Sequence, residues 1–251
     1  MRRQALGITL EEDCVFSVRS ATVGGHESLD RIPGQALLGA AASSLYSSLD
    51  RREAFVAFHS GRLRFGDGLP FDGIAQGFPV PLAWHHAKTD KAEANGRLMK
   101  EKVYNFLHQD KIVSRGQREE QPKQLRMGYV FTDGRIIKPA RSLRMKTAIE
   151  PGEGRAAEGQ LFGYESLVRG QYFATVIEAE ENLDNELFKK VIGALRGDLL
   201  LGRSRSAEYG RAHAEAVEGA EPEALGDVHA HHRREAMARR YEALYDDLLS
   251  R

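Results

Sequence analysis

Apolar and polar positions alternate near the start of the chain and then repeat that alternation after a short acidic break. A period of two is typical of a strand with one buried face. We therefore expect residues 4 to 19 to form one bent strand or a hairpin, and to lie centrally in a sheet. The apolar positions of this pattern are Leu6, Ile8, Leu10, Cys14, Phe16 and Val18.

Helical spacing appears in four segments. The clearest, at about 183–196, places its apolar residues on one side and ends near Gly197. An earlier helix is predicted at about 35–50, where Pro33 is tolerated in the first turn. A stripe from Met99 to Leu107 predicts a helix, and a last amphipathic helix is predicted at about 230–249.

The remaining apolar segments predict strands. The pattern favours strands at residues 55–58, 62–65, 126–131, 171–179 and 199–201, and a hairpin whose arms, 143–149 and 160–164, flank the turn at 150–154. Residues 114–124 carry almost no apolar side chain and are expected to form an excursion. The order β-α-β-β-α-β predicts an α+β class, ferredoxin-like (RRM-like) sandwich.

This order also predicts the domain organisation. Residues 1–214 would form the ferredoxin-like domain with a helical, basic insertion at about 85–125. Residues 215–251 would be an acidic linker followed by the C-terminal amphipathic helix.

The net charge of the whole chain is uninformative, but the distribution of charge along it is uneven. The chain of 251 residues has 36 basic and 36 acidic residues, so its net charge is zero and no overall basic field indicates a nucleic-acid binder. From His86 to Thr147, however, fifteen basic residues face seven acidic ones, an excess of eight positive charges. We therefore expect one basic side of the molecule.

The remaining composition is that of a folded cytoplasmic protein. A hydrophobic content of 41% allows a substantial core, and neither a signal sequence nor a membrane span is expected. The one cysteine, Cys14, is expected to be a small buried side chain in a strand rather than a catalytic thiol.

A loop late in the chain combines glycines, hydroxyls and guanidiniums directly after an apolar strand. Glycine allows a close backbone approach, and arginine pairs with phosphate in bidentate fashion, so the loop is typical of a polyanion site such as one for nucleic acid. The alternative is a solvated turn. The candidate RNA-binding residues here are Gly202, Arg203, Ser204, Arg205, Ser206, Tyr209, Gly210 and Arg211. Further candidates from the basic region are Lys100, Lys102, Arg115, Arg118, Arg144 and Lys146.

Several segments together resemble the RAMP superfamily, the RNA-binding subunits of CRISPR effector complexes. Residues 32–40 resemble the turn-and-helix signature of that family, and residues 202–210 resemble its late glycine-rich loop. Residues 145–149 with 157–165 are similar to a hairpin of the type III-D branch, and 65–70 and 79–81 fit the same branch. The resemblance spans about residues 4–213.

This resemblance implies a ferredoxin-like subunit of a type III, III-D-like, CRISPR ribonucleoprotein in antiviral defence. It implies that the chain holds guide RNA and assembles with other effector subunits. Our hypothesis is that it grips the guide near its 5′ end, with target RNA as a further partner, and we expect no cofactor. One departure matters: Ala207 and Glu208 stand where the family usually has a further glycine. A carboxylate there repels phosphate, and alanine resists a positive φ.

The strand aromatics and the hairpin each allow two interpretations. The aromatic side chains would either stack on bases or pack in the core. The hairpin would be either a thumb pressed against a guide–target duplex or a solvent-exposed β-turn. The aromatic candidates are Tyr129, Phe131, Tyr164, Tyr172 and Phe173.

The alternative function is an endoribonuclease that processes guide precursor or cuts target RNA. RAMP subunits that cut target carry an acidic residue before the turn-helix signature, a place that Asp30 or Glu27 could take, with His26 as acid or base. Asp30 could instead cap the following turn. For guide processing the candidates are His26, His59 and Tyr46. The cluster at residues 229–232 is expected to be a solvated surface, and no metal is expected. A third alternative is an assembly module that binds protein alone.

Overall fold

The computed structural model describes residues 1–18, 27–107, 109–113, 118–126, 128–149, 156–205 and 208–217, with the backbone alone for 146–149 and 156–162. The chain divides into two units. Among the described residues, one unit combines residues 1–74 with residues 139–217, and the other consists of residues 75–138. Of the predicted linker and C-terminal helix at 215–251, only residues 215–217 fall within the described part.

Short strands dominate the described part of the chain. The strands are β1 (Arg2–Leu10), β2 (Leu63–Phe65), β3 (Leu69–Pro70), β4 (Phe78–Pro79), β5 (Trp84–Ala87), β6 (Glu93–Ala94), β7 (Arg97–Leu98), β8 (Tyr104–Asn105), β9 (Ile112–Val113), β10 (Glu119–Glu120), β11 (Pro122–Gln124), β12 (Tyr129–Val130), β13 (Ile136–Ile137), β14 (Arg141–Ile149), β15 (Ala156–Leu167), β16 (Tyr172–Ala179), β17 (Gly197–Leu200) and β18 (Arg211–Ala216). The α-helices are α1 (Gly34–Leu45), α2 (Arg51–Phe58) and α3 (Asn185–Ala194), and Lys100–Lys102 form a 3₁₀ turn. The fold is thus mixed α and β.

The main sheet of the first unit has the order β17-β18-β1-β16-β2, and β3 also pairs with β16. Every pairing in it is antiparallel. Within β1, Leu6 lies opposite Thr175 on one side and Ala216 on the other, so the prediction of a central strand at the start of the chain is confirmed. The predicted hairpin is confirmed as well, because β14 pairs with β15 from Arg141 opposite Leu167 outward.

The core of the first unit lies between one face of this sheet and the helices. The alternating residues Leu6, Ile8 and Leu10 are buried in the same apolar cluster as Leu37 of α1 and Val191 of α3. Burying each side chain of this size contributes about 1.5–3 kcal/mol, so the period-two pattern of β1 determines which face the helices cover. The predicted helix at 183–196 is confirmed by α3.

The segment predicted as a strand at residues 55–58 is helical. Asp50 accepts hydrogen bonds from the backbone N–H groups of Arg52 (2.7 Å) and Glu53 (2.8 Å), and the Glu53 carboxylate accepts one from the Asp50 N–H (3.2 Å). This reciprocal capping box satisfies the first N–H groups of α2. It starts a helix that runs through the apolar residues up to Phe58.

The prediction of a helical insertion is wrong. In the second unit, the only helical element among the described residues 75–138 is the 3₁₀ turn. Two three-stranded sheets, β11-β5-β8 and β13-β12-β4, contribute to one buried apolar cluster that includes Trp84 of β5 and Val130 of β12. The pair Asn95 and Gly96, with φ of 53° and 72°, makes the two-residue turn between β6 and β7. Asn-Gly favours this turn because both residues tolerate a positive φ. The excursion predicted at 114–124 contains β10 and β11, while residues 114–117 lie outside the described part.

Cys14 is fully buried, as predicted. Burial raises the pKa of its thiol to about 12. Because the thiolate is the nucleophile, we expect a thiol reagent to leave the folded protein unlabelled at pH 8 and to react at the rate of unfolding. Rapid labelling at pH 8 without denaturant would contradict this burial.

No helix within the described residues is both long and apolar enough to cross a membrane.

Candidate nucleic-acid interface

The loop between β17 and β18 is fastened by its backbone to a segment that follows β1. Arg203 donates its N–H to the Val15 carbonyl (3.0 Å), and Gly210 donates to the Asp13 carbonyl (2.9 Å). The loop also closes on itself, since Leu201 donates to Gly210 (2.7 Å). Two backbone hydrogen bonds therefore hold the loop against the segment after β1, and a third joins the two ends of the loop.

The same segment fastens the β14–β15 hairpin. Cys14 donates its N–H to the Leu167 carbonyl (2.9 Å), and Leu167 donates back to the Cys14 carbonyl (2.8 Å). Asp13 to Val15 is therefore a junction that holds the base of the hairpin and the loop together. The sequence placed Asp13 in the acidic break and Cys14 and Val15 in the strand pattern that resumes after it, and neither feature predicted this role.

Two glycines make the loop possible. Gly202 has φ of +77°, and a Cβ at this position would lie 2.4 Å from the Val15 carbonyl oxygen. Gly210 has φ of +102°, and its Cβ would lie 2.6 Å from the Leu201 oxygen. Side chains are excluded at both positions by conformation and by space. Ser204, with φ of +57°, also adopts the left-handed region.

The loop presents exposed guanidiniums. Arg203, Arg205 and Arg211 are all exposed. The Arg205 Nη1 lies 3.4 Å from the Leu200 carbonyl oxygen, and the Arg211 Nε lies 3.9 Å from a Glu12 carboxylate oxygen. Such contacts in solvent are weak, so these cations remain available to an anionic ligand.

Arg203 also borders an open cleft of about 480 Å³ that reaches the start of α1. Its walls include the loop, the segment after β1 and the first turn of the helix. The lining residues are Val15, Phe16, Ser17, Val18, Pro33, Gln35, Ala36, Gly202 and Arg203. A cation beside a helix N-terminus favours an anionic ligand such as a phosphate.

Arg144 of β14 connects the hairpin to the loop. Its Nη2 lies 3.3 Å from the Asp13 Oδ2, and its Nη1 lies 3.7 Å from the Glu208 Oε2. The guanidinium also lies over the Tyr209 ring, 5.8 Å from the centroid. Predicted as a direct RNA ligand, Arg144 is thus occupied by two carboxylates. One of them is Glu208, which with Ala207 stands where the resemblance to the RAMP pattern fails.

The aromatic residue of the loop faces inward. Tyr209 is 1% exposed and stacks on Tyr164 at 6.3 Å, so its ring supports the loop from below and presents no face to a base. Tyr129, Phe131 and Phe173 are likewise buried. For these residues the core interpretation holds.

The other basic candidates belong to the second unit or fall outside the described side chains. Lys100 and Lys102 lie in the 3₁₀ turn, and Lys102 pairs with Asp90 at 3.5 Å. Arg118 is exposed. Arg115 and Ser206 are outside the described residues, and Lys146 is described by its backbone alone. Their predicted contacts with RNA stay predictions.

Of the nuclease candidates, His26 lies outside the described residues, and Asp30, Tyr46 and His59 lie within them. Asp30 lies 3.9 Å from the guanidinium of its neighbour Arg31. Asp67 accepts the Gly34 N–H at the start of α1 (2.8 Å) and binds the Arg31 Nε (2.7 Å), which is the capping role considered for Asp30.

Two further nuclease candidates lie together. The Tyr46 hydroxyl is 3.2 Å from the His59 Nε2 at the ends of α1 and α2. Both side chains are exposed there. This pairing could not be predicted from the sequence, because His59 was placed after a strand rather than at the end of a helix.

Metal-type ligands come together at one place among the described residues. Donor atoms of Glu11, Asp198 and His213 lie within 4.8 Å of one another, and all three residues are exposed. The His213 Nδ1 is 2.8 Å from the Asp198 Oδ1, and this hydrogen bond raises the pKa of His213. The arrangement is accounted for as a surface ion pair, so we assign it no ligand.

Solved structures of CRISPR complexes contain chains whose fold is similar to that of this chain. A chain of the type III-B Cmr-beta complex in its apo state matches with a TM-score of 0.50 and 10% identity, over 86% of this chain and 98% of that one. A chain of Cmr-beta bound to cognate target RNA matches with a TM-score of 0.51 and 11% identity, over 87% and 98%. This chain has the fold of a type III-B CRISPR subunit. At such identities the likeness concerns the fold alone. No family model and no curated protein matches the sequence.

Proposed function

We propose that this chain is an RNA-binding RAMP subunit of a type III, III-D-like, CRISPR ribonucleoprotein. It grips guide RNA near its 5′ end and contacts neighbouring effector subunits and target RNA. The observation that carries this proposal is the loop at 201–210. Its backbone is hydrogen-bonded to Asp13 and Val15, it contains two glycines of positive φ, and Arg203 and Arg205 are exposed on it.

The loop has the chemistry that an RNA backbone requires. Guanidiniums form charge-assisted bonds with phosphate oxygens, and glycines let the main chain approach the ligand closely. Arg203, Ser204, Arg205 and Arg211 are the residues we assign to phosphate. The cleft beside Arg203 gives the strand a path toward the start of α1.

The topology supports the same proposal. In the first unit, β1 is followed by α1, α2, β2, β3, the β14–β15 hairpin, β16, α3 and the β17–β18 pair, and β1 lies between β18 and β16 in the sheet. We infer from this order a ferredoxin-like sandwich. Within it, the β14–β15 hairpin would be the thumb that meets the guide–target duplex. Because the segment from Asp13 to Val15 is hydrogen-bonded to both the hairpin and the loop, the hairpin and the loop would contact the same strand of RNA.

The test is the RNA content of the assembled particle. The full chain, expressed with a CRISPR array and its neighbouring effector subunits, is expected to purify with guide RNA. Crosslinking followed by sequencing should place the loop near the 5′ end of the guide. A stable particle that contains no RNA would overturn the function, and crosslinks confined to the 3′ end would overturn the position.

A further inference from the structure

Glu208 lies among the arginines of a loop that we assign to phosphate, and its carboxylate faces the guanidinium of Arg144. We propose that Glu208 is a placeholder for an RNA phosphate: it occupies Arg144 until a phosphodiester of the guide backbone displaces it. This inference rests on the proposed function. It gives a role to Glu208, one of the two residues at which the loop departs from the family pattern.

Asp13 is the fixed partner of Arg144. Its side chain is only 8% exposed, and its Oδ1 accepts the Arg169 N–H at 3.0 Å while its Oδ2 lies 3.5 Å from the Ser166 hydroxyl. Its carbonyl meanwhile holds Gly210. A buried carboxylate fastened in this way keeps its cation, since separating the two would leave a buried charge unpaired. Arg144 is therefore held in place at the loop.

Glu208 is the partner that can leave. Its side chain is 60% exposed, that of Arg144 is 50% exposed, and their nearest charged atoms are 3.7 Å apart. Exposed pairs of this kind shift an equilibrium by no more than about fivefold. A phosphate offers more acceptor oxygens and a better match to a guanidinium. RNA therefore competes successfully for the Nη1 side of Arg144 while Asp13 retains the Nη2 side.

The exchange has a consequence for selectivity. While Glu208 is on Arg144, a weakly bound anion meets one cation fewer and one carboxylate more in the loop. A polyanion that already engages Arg203 and Arg205 can displace the carboxylate, because its phosphates are held at high local concentration. Glu208 thus disfavours small anions and favours a continuous ribose-phosphate chain.

The substitution Glu208→Gln tests the placeholder. Binding of a labelled single-stranded RNA to the full chain is expected to tighten about two- to fivefold, because no carboxylate has to be displaced. The salt slope should stay the same, because both proteins neutralise the same number of RNA phosphates. Glu186→Gln is the matched control, since Glu186 pairs with Lys189 on α3 and the two side chains are 72% and 64% exposed. It should change neither quantity.

A second background separates displacement from simple repulsion. In Arg144→Gln the gain from Glu208→Gln should vanish, because the placeholder acts through Arg144. A gain that persists there overturns the proposal, and so does unchanged binding by Glu208→Gln in the wild-type background. Thermal melts confirm that the variants are folded. If particles lack guide RNA altogether, the proposed function itself fails, and this outcome is distinct from guide-bearing particles in which Glu208→Gln has no effect.

Discussion

Reversing the charge of Arg203 and Arg205 together is expected to lower RNA affinity by at least about a hundredfold. Each arginine that contacts phosphate contributes a charge-assisted bond of about 1.5–3 kcal/mol, and two such losses exceed the 2.7 kcal/mol that corresponds to a hundredfold change. The introduced carboxylates add repulsion. The measurement is RNA binding by Arg203→Glu with Arg205→Glu, followed by recovery of guide RNA from the expressed complex.

A control for this prediction must carry the same change of net charge away from the loop. Lys189→Glu with Arg196→Glu does so, because Lys189 lies on α3 and Arg196 is exposed just before β17, at the opposite end of that strand from the loop. We expect this variant to keep most of its RNA affinity, apart from a modest loss that salt screens. Equal losses in both variants would mean that net charge, and not the loop, governs binding.

Local signals in the sequence were sufficient to predict the loop. Glycines, hydroxyls and arginines directly after the strand that ends at Leu200 need no distant partner to indicate an anion site, and Gly202 and Gly210 have the positive φ that such a turn requires. The strand period of β1 likewise identified the buried face, because alternation depends on neighbouring residues alone.

The contacts that surround the loop could not be predicted in this way. Asp13, Arg144 and Glu208 are far apart in the sequence, and their meeting depends on how the hairpin, the segment after β1 and the loop pack. The isolated residues suggested an acidic break, a phosphate ligand and a repulsive carboxylate. In the fold, Asp13 and Glu208 instead share one guanidinium.

Two secondary-structure predictions were wrong because they rested on the apolar residues alone. The apolar residues at 55–58 suggested a strand, yet the Asp50 and Glu53 side chains start a helix there. The apolar stripe from Met99 to Leu107 suggested a helix, yet only Lys100–Lys102 form a 3₁₀ turn, and Tyr104 and Asn105 pair with β5. Caps and strand pairing decide short segments in which periodicity has too few residues to be decisive.

The substitution Gly202→Ala is expected to destabilise the fold by about 2–5 kcal/mol. An alanine at φ of +77° costs about 1–2 kcal/mol, and its Cβ would lie 2.4 Å from the Val15 oxygen, an overlap that costs about 1–3 kcal/mol to relieve. Because the Val15 oxygen also accepts the Arg203 N–H, the shift that relieves the overlap moves Arg203, one of the residues that we assign to phosphate. Urea denaturation measures the stability, and RNA binding measures the displacement.

The matched control is Gly39→Ala, within α1. Nothing lies within 4 Å of a Cβ built at Gly39, and an alanine inside a helix is favoured over glycine by about 0.5–1 kcal/mol. Gly39→Ala should therefore be as stable as the wild type or slightly more so, with RNA binding unchanged. If Gly202→Ala had the same stability and RNA affinity as Gly39→Ala, the loop backbone would not be packed against the Val15 carbonyl as described. If Gly202→Ala loses more RNA affinity than its unfolded fraction explains, the hydrogen bond from the Arg203 N–H to the Val15 carbonyl positions Arg203 for RNA binding.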